Sequence, residues 1–467
     1  MTMIYRPLFD RAGPDKVVRA GVIGAGHYAT AIVTQSRAIP RLRAQAVADV
    51  DVEAGRRAFL SAGFADGDIA VCEGRADALR ALEQGRRVVV GDALALMDLP
   101  LDVIVEATGV PEAGARHALE AIRHGKHVAM VNKETDVVVG PILKRLADCA
   151  GVVYTAVDGD QHGLLMGLVA WARELGLEVL SGGKFRNAEV VFDPASGTAS
   201  QGRQTLTLEP AAAKALGAIP PGGVARAVAA RRDLLGGMAR IANSDVGELA
   251  IAANATGLMP DAEDLHCPVL RALEIPEALC IEAEGGILAQ RGAIEGVTCL
   301  RHPLDVGLGG GVFIVVACEN DYSRRILTTK GLVPNRRGTA ALVYRPYHLC
   351  GVETPMSILC AGLLGVPTGA TELLPRVDVV AQATEDLLAG EKVGGDDSPR
   401  LKALMRPAQS VRVGAPLPLQ MAGGNVLTRH VPAGAVLTVD AVAAPADSVL
   451  WSLRAQQDAH FLTQPIS

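Results

Sequence analysis

The stretch from Val17 to Asp51 constrains this chain more than any other. It runs as an apolar strand, Val17 to Ile23, then Gly24-Ala25-Gly26-His27-Tyr28-Ala29, a helix to about Ala38, and a second strand, Ala44 to Ala48, ending at Asp49. The G-x-G-x-x-A spacing has a mechanical reading. Gly24 permits a tight turn, Gly26 lets backbone approach a pyrophosphate, and Ala29 lets the helix pack closely on the strand. The N-terminus of that helix, through His27 and Tyr28, offers unpaired N–H groups to an anion. The motif alone is a weak signal, but here it follows a strand, opens a helix and is followed 23 positions after Gly26 by an acid at a strand end. Asp49 is placed to accept both ribose hydroxyls, and its charge repels a 2′-phosphate, so NAD is favoured over NADP. Arg56 and Arg57 on the next helix keep NADP open.

The length of 467 residues predicts two or three domains. A net charge of −6 argues against nucleic acid as a partner, as does an aromatic content of 3%, too low for base-stacking platforms. The longest apolar runs, such as Val312 to Cys318, fall short of the ~20 residues that cross a bilayer. The opening MTMIYRPLFDRAG lacks an apolar secretory core, so a cytoplasmic protein without a membrane partner is expected. Eight scattered cysteines include no C-x-x-C pair and imply neither a disulfide framework nor a zinc site.

Strand and helix patterns continue to alternate after Asp49. Leu101 to Glu106 reads as a strand buried on both faces and ends in Ala107-Thr108-Gly109, where a doubly wound sheet meets its ligand. Pro111 to His124 reads as a helix, Lys126 to Val131 as the next strand, ending in Asn132-Lys133-Glu134. A helix over Gly140 to Ala150 and a strand over Gly151 to Ala156 complete the pattern. Asp158-Gly159-Asp160-Gln161-His162-Gly163 then opens a helix, with Asp160 either its N-cap or a functional acid. The strand reaching Lys184 carries Arg186 two positions on, so both cations share a face suited to an anionic group. Pro194 to Gly237, rich in Gly, Ala, Pro and Arg, reads as an insertion or flexible lid whose clearest helix is Ala211 to Leu216. Met238 to Gly257 is helical in its middle and offers Asn243 and Asn254. Tyr344 to Leu349 concentrates Arg345 and His348. From about Val377 short strands between glycine turns predict a small β module, clearest at Val431 to Leu437.

In order along the chain, Gly24-Ala25-Gly26, Ala107-Thr108-Gly109, Asn132-Lys133, Gly159-Asp160, Ala255-Thr256-Gly257, Glu284-Gly285-Gly286 and Arg345-Pro346-Tyr347-His348 resemble the homoserine dehydrogenase-like oxidoreductases that carry a C-terminal SAF domain. The 1-deoxy-D-xylulose 5-phosphate reductoisomerase-like enzymes are one branch of that group. The resemblance implies an α/β protein with an N-terminal Rossmann domain (1–157), a central α+β catalytic and oligomerisation domain (158–372) and a small C-terminal β module of SAF type with a tail (373–467). It also implies a homo-oligomer, a dimer or tetramer. The reductoisomerase-like branch shows Gly-Asp-Glu-Pro where this chain has Gly159-Asp160-Gln161-His162, and losing an acid weakens a divalent metal site. Asn132-Lys133 is closer to homoserine dehydrogenase, in which the lysine lies near the nicotinamide.

The expectation is therefore an NAD(P)-dependent dehydrogenase or reductase, NAD favoured, acting between alcohol and carbonyl on a small polar, anionic molecule such as a hydroxy acid or a sugar or polyol phosphate. Gly24, Ala25, Gly26, His27, Tyr28, Asp49, Thr108, Gly109 and Asn132 are expected at the cofactor. Lys184 or Lys133 is expected to move the proton, with Asp160 tuning it, and Arg186, Asn187, Asn243, Arg345 and His348 to hold the substrate. A buried Lys184 should have its pKa drawn down toward neutrality. No metal is expected on this reading. The alternatives are a metal- and NADPH-dependent reductoisomerase-like enzyme and an NAD-binding sensor or regulatory subunit without turnover.

Overall fold

The computed structural model describes residues 4–462. Seven strands, β1 (Val18–Ile23), β2 (Leu42–Ala48), β3 (Ile69–Cys72), β4 (Arg87–Val90), β5 (Val103–Glu106), β6 (His127–Met130) and β7 (Tyr154–Ala156), form one sheet in the order β3-β4-β2-β1-β5-β6-β7. Every pairing in it is parallel. The strands are short, aliphatic and buried, as a sheet covered by helices on both faces requires. From β1 the chain goes to β2 on one side, while β5 lies on the other. The resulting switch point opens a crevice at the carboxyl ends of β1 and β5.

A second, mixed sheet contains β8 (Val179–Phe185), β9 (Val190–Asp193), β10 (Thr198–Gln201), β11 (Gln204–Thr207), β12 (Met259–Pro260), β13 (Val269–Leu270), β14 (Ala293–Arg301), β15 (Val312–Ala317), β16 (Val333–Pro334) and β17 (Ala340–Arg345). β8 lies between parallel β14 and antiparallel β15, with Lys184 opposite Gly296 and Val312. The helices Gln161–Glu174 and Asn243–Thr256 pack on this sheet and on each other, and the second also meets the helix Lys133–Ala150 of the nucleotide-type domain. That three-way junction positions the charged site.

Pro194 to Gly237, read as an insertion or flexible lid, forms the β10–β11 hairpin, helical turns at Pro210–Ala213 and Lys214–Leu216 where Ala211 to Leu216 was expected, and a longer helix, Val224–Leu235. Arg231 of that helix is wholly buried and makes a two-pronged pair with Glu274 at 2.7 and 2.9 Å. A buried guanidinium is tolerable only when fully partnered, so the segment is anchored.

The last part of the described chain has one antiparallel pair, β18 (Val377–Ala383) with β19 (Leu401–Pro407), and a set of isolated bridges. Val431 to Leu437, the clearest part of the expected β module, contributes only such bridges, at Val431 and Val436. The terminal helix Val449–Phe461 packs back on Lys133–Ala150. Among the described residues no helix is long and apolar enough to cross a membrane.

Candidate active site

The crevice is a cavity of about 460 Å³ lined by Gly24, Ala25, Gly26, Asp49, Thr108 and Val110 among others. Gly24 has φ +95°, and a Cβ there would stand 2.7 Å from the Ala107 carbonyl oxygen, so only glycine lets the β1 and β5 loops come this close. Gly26 is different. Nothing lies within 4 Å of where its Cβ would stand, leaving open space above the loop. The helix His27–Ser36 begins there without a side-chain cap, its first-turn N–H groups directed to the crevice end. These features fit a dinucleotide. Asp49 accepts from the Ala25 N–H at 2.7 Å and the Asp51 N–H at 2.9 Å, which fixes its carboxylate at the rim. The Tyr28 hydroxyl is committed to Thr354 Oγ1 at 3.0 Å, so only the Tyr28 backbone is offered to a ligand.

Thr108 and Asn132 build the β5 side. Thr108 Oγ1 donates to Glu106 at 2.6 Å and accepts from Asn132 Nδ2 at 3.1 Å. Asn132 also donates to the Val110 carbonyl and caps the following helix by accepting from the Thr135 N–H. Its amide is therefore spent on shaping the Thr108–Val110 loop. Glu134, in the first turn of that helix, has Oε2 3.9 Å from the place a side chain on Gly109 would take. Burial pushes its carboxyl up to about 7.

Beyond the crevice two lysines share one carboxylate. Lys133 Nζ lies 2.5 Å from Glu248 Oε1, and Lys184 Nζ pairs with Glu248 Oε2 and, at 2.7 Å, with Asp245. Lys184, Glu248 and Asp245 are buried, whereas Lys133 is partly exposed. Burial opposes the charge on Lys184, but Glu248 and Asp245 outweigh it and hold its pKa above the ordinary lysine value. The fall toward neutrality expected of a buried Lys184 is thus reversed, because that expectation weighed burial alone and not the acids facing the lysine. Lys133 is raised in the same way, burial being outweighed first by Glu248 and then by Asp160. Both ammonium groups therefore stay charged at neutral pH and act as donors.

Asp160 caps its helix by accepting from the Gln161 N–H at 2.8 Å and lies 3.9 Å from His162 Nδ1. The imidazole of His162 is fully buried and neither nitrogen has a hydrogen-bond partner. Arg186 lies behind the cluster, donating to Thr298 Oγ1 at 2.8 Å and the Met238 carbonyl at 3.1 Å, with Nε 3.6 Å from Asp245. It positions Asp245 and does not reach open space. Asn187 and His348 meet each other across Gly310, whose absent side chain would touch both. Arg345 pairs with Glu353 and lies over the Tyr347 ring at 4.6 Å. Asn243 is elsewhere: its amide donates to the carbonyls of Asp396 and Leu401 and accepts from Ala403 N–H, fastening the C-terminal module. The structure thus gathers Lys133, Lys184, Asp160 and Arg186 and leaves Asn243 at a seam. Sequence reading overlooked Asp245 and Glu248, and named Glu134 at the β6 strand end without giving it a role. The signal for the first two was their spacing of three on a helix, which sets both on one face.

Residues 30–150 match the family described as the homoserine dehydrogenase NAD-binding domain, and residues 242–354 the one described as the catalytic domain of oxidoreductase DRL. The chain joins a dehydrogenase-type NAD-binding domain to a DRL-type oxidoreductase catalytic domain. The second match contains Asp245, Glu248, Arg345 and His348; Lys184 and Asp160 lie between the two. Curated relatives of the oxidoreductase include the 1-deoxy-D-xylulose 5-phosphate reductoisomerase of Clostridium perfringens, 37% identical over 89 residues, which covers 18% of this chain and 23% of that protein. The enzyme of the same name from Thermus thermophilus is 33% identical over 111 residues, 23% of this chain and 29% of the relative. The chain thus spans less than a third of either. Among solved structures, a DOX-P reductoisomerase with fosmidomycin and magnesium aligns at TM-score 0.31 and 15% identity over 52% of this chain and 58% of that one. Myo-inositol dehydrogenase from Lactobacillus casei with NAD(H) and myo-inositol aligns at 0.27 and 17% over 36% and 46%.

Proposed function

We propose that this oxidoreductase interconverts an alcohol and a carbonyl on a small polar, anionic substrate, a hydroxy acid or a sugar or polyol phosphate, using NAD in the cytoplasm as a homo-oligomer. The observation that carries this reading is the pair of charged lysines held on Glu248 directly beyond the nucleotide crevice. Bound in the crevice, a nicotinamide supplies the hydride chemistry. Lys133, the more exposed ammonium, donates a hydrogen bond to the reacting oxygen and stabilises it as negative charge grows. Lys184 holds Glu248, and so Lys133, in place. Burial holds the Glu134 carboxyl at about 7, and it accepts the alcohol proton in the oxidative direction. Asp160 keeps Lys133 charged, and Asn187, Arg345 and His348 line the substrate's far side.

Support for NAD comes from Asp49 at the rim and from the two arginines that kept NADP open. Arg56 is paired with Asp66 and Glu53, and Arg57 with Asp51. Both arginines thus face carboxylates that compete with a 2′-phosphate for them.

The curated reductoisomerase relatives favour a second reading, in which a metal and NADPH serve a rearrangement followed by reduction. The donor set fits this poorly. Both Glu248 oxygens and one Asp245 oxygen already face ammonium groups, which repel a divalent cation.

Fluorescence titration with NADH and NADPH, then an NAD-coupled screen of hydroxy acids and polyol phosphates with and without chelator, tests the proposal. NADH binding and chelator-resistant turnover are expected. NADPH preference with metal-dependent activity would establish the second reading, and dinucleotide binding without turnover of any substrate class would leave a sensor.

A further inference from the structure

The C-terminal module reaches the charged site. Asn243 opens the helix that carries Asp245 and Glu248, and its amide holds the Asp396 and Leu401 carbonyls at 2.9 and 3.1 Å and the Ala403 N–H at 2.8 Å. The loop between β18 and β19 is thereby pinned to the same helix that anchors the lysines. Asp396 of this loop lies within the electrostatic reach of Lys133 and Glu134. Asp396 Oδ1 accepts from Gln420 Nε2 at 2.8 Å.

Gln420 is 8% exposed, and its carbonyl oxygen is buried without a partner. Such an acceptor costs about 1–3 kcal/mol unless something donates to it. Gln420 also lines a cavity of about 480 Å³ between the start of the helix Pro111–Arg123 and the C-terminal module. That cavity and the nucleotide crevice share the lining residue Val110. Gln420, Glu112 and Asp447 line this cavity, and Asp396, outside its lining, is bonded to Gln420, so its side chains are chiefly acceptors. They repel an anionic end of a substrate and suit a hydroxyl, which brings the missing donor.

We infer that Asp396 and Gln420 form a subsite that reads a substrate hydroxyl, so that the C-terminal module takes part in substrate selection. The inference rests on the proposed alcohol–carbonyl chemistry at Lys133 and names the substrate class more closely: a polyhydroxylated acid rather than a simple hydroxy acid. The anion and reacting carbon lie toward the lysines, and the hydroxylated end lies toward Gln420.

The test uses acids of equal charge and rising hydroxyl number, namely glycolate, glycerate and the four-carbon trihydroxy acids, on the full chain. Binding is read as change in NADH fluorescence of the NADH complex, and turnover as NADH formation from NAD. In the natural protein the trihydroxy acids should bind at least about tenfold more tightly than glycolate, the worth of one well-made hydrogen bond. The near-isosteric Gln420→Met and Asp396→Asn should each flatten that ladder while leaving NADH affinity within about twofold and the melting temperature close to that of the natural protein. Equal binding along the ladder in the natural protein, or a ladder unchanged in both variants, overturns the subsite. A ladder that the variants flatten without NADH formation from any acid upholds the subsite and sinks the proposed reaction.

Discussion

Two glycines two positions apart make opposite demands. Gly24 is compelled by backbone geometry, whereas Gly26 has a conformation, φ −69° and ψ −174°, open to any residue, and faces empty space. Gly26→Val should therefore change folding stability by no more than about 0.5 kcal/mol. The same variant should weaken NADH binding at least about tenfold, because the side chain fills the approach to the pyrophosphate. Gly24→Ala should instead cost about 1–3 kcal/mol of stability. Urea unfolding and NADH titration of the two variants check both. Glu134 makes a pH prediction. Its folded carboxyl keeps a proton up to about pH 7, while an unfolded glutamate releases it near 4.5. Between those values the folded state binds more protons, so this group's contribution to stability is present at the acid end and lost as pH rises to about 7. Glu134→Gln removes that loss. Its stability relative to the natural protein should rise across the window and level off above it, which melting curves at stepped pH would show. In activity assays the same substitution should abolish the rise in oxidative rate through neutrality.

Among the elements, the helix Lys133–Ala150 shows how local patterns and distant partners divide the work. Pro141 inside it lacks an N–H, which removes a bond to the helix ladder. Gln457 of the terminal helix is inserted beside the break, accepting from the Ile142 N–H at 3.2 Å and donating to the Val138 carbonyl at 2.9 Å. Gln457→Leu removes two buried hydrogen bonds, but the Ile142 N–H and the Val138 carbonyl stand four apart on one helix and can then bond each other, so it should cost only about 1–2 kcal/mol, measured by urea unfolding. Nothing near Pro141 in the sequence announces this contact from more than three hundred positions away. The same division explains what was legible in the chain. The β1 turn, the β5 and β6 strand ends and the Lys184 strand were readable because each is a local pattern of period or turn chemistry. Lys133 and Lys184 could be picked out, but their shared acid could not. Asp245 and Glu248 look like any solvated helix face until the fold turns that face inward. The sequence offers Asn243 as a substrate contact, and only the path of the β18–β19 loop shows that its three bonds are structural.

At the scale of the molecule, the C-terminal part ties the other two together. Asn254 in the middle domain accepts from the Arg376 and Val377 N–H groups and donates to the Val377 carbonyl at the start of β18. Arg454 of the terminal helix is fully buried, gripping Asp378 at 2.7 and 2.8 Å and Asp458 at 2.7 Å. That helix in turn packs on Lys133–Ala150 beside the nucleotide crevice. A chain fastened at so many buried points should unfold as one unit, and its two tryptophans offer separate reporters. Trp171 sits in the helix Gln161–Glu174 and Trp451 in the terminal helix. Single-tryptophan variants, Trp171→Phe and Trp451→Phe, should give coincident urea transitions, and NADH at about a hundred times its dissociation constant should stabilise both by about 2.7 kcal/mol. Arg454→Met strands two aspartates in the interior and should cost about 3–5 kcal/mol locally. In that background the Trp451 transition should move to lower urea than the Trp171 transition, and NADH should stabilise Trp171 more than Trp451. Coincident transitions in the Arg454→Met background would show that contacts other than this buried cluster hold the terminal helix to the oxidoreductase.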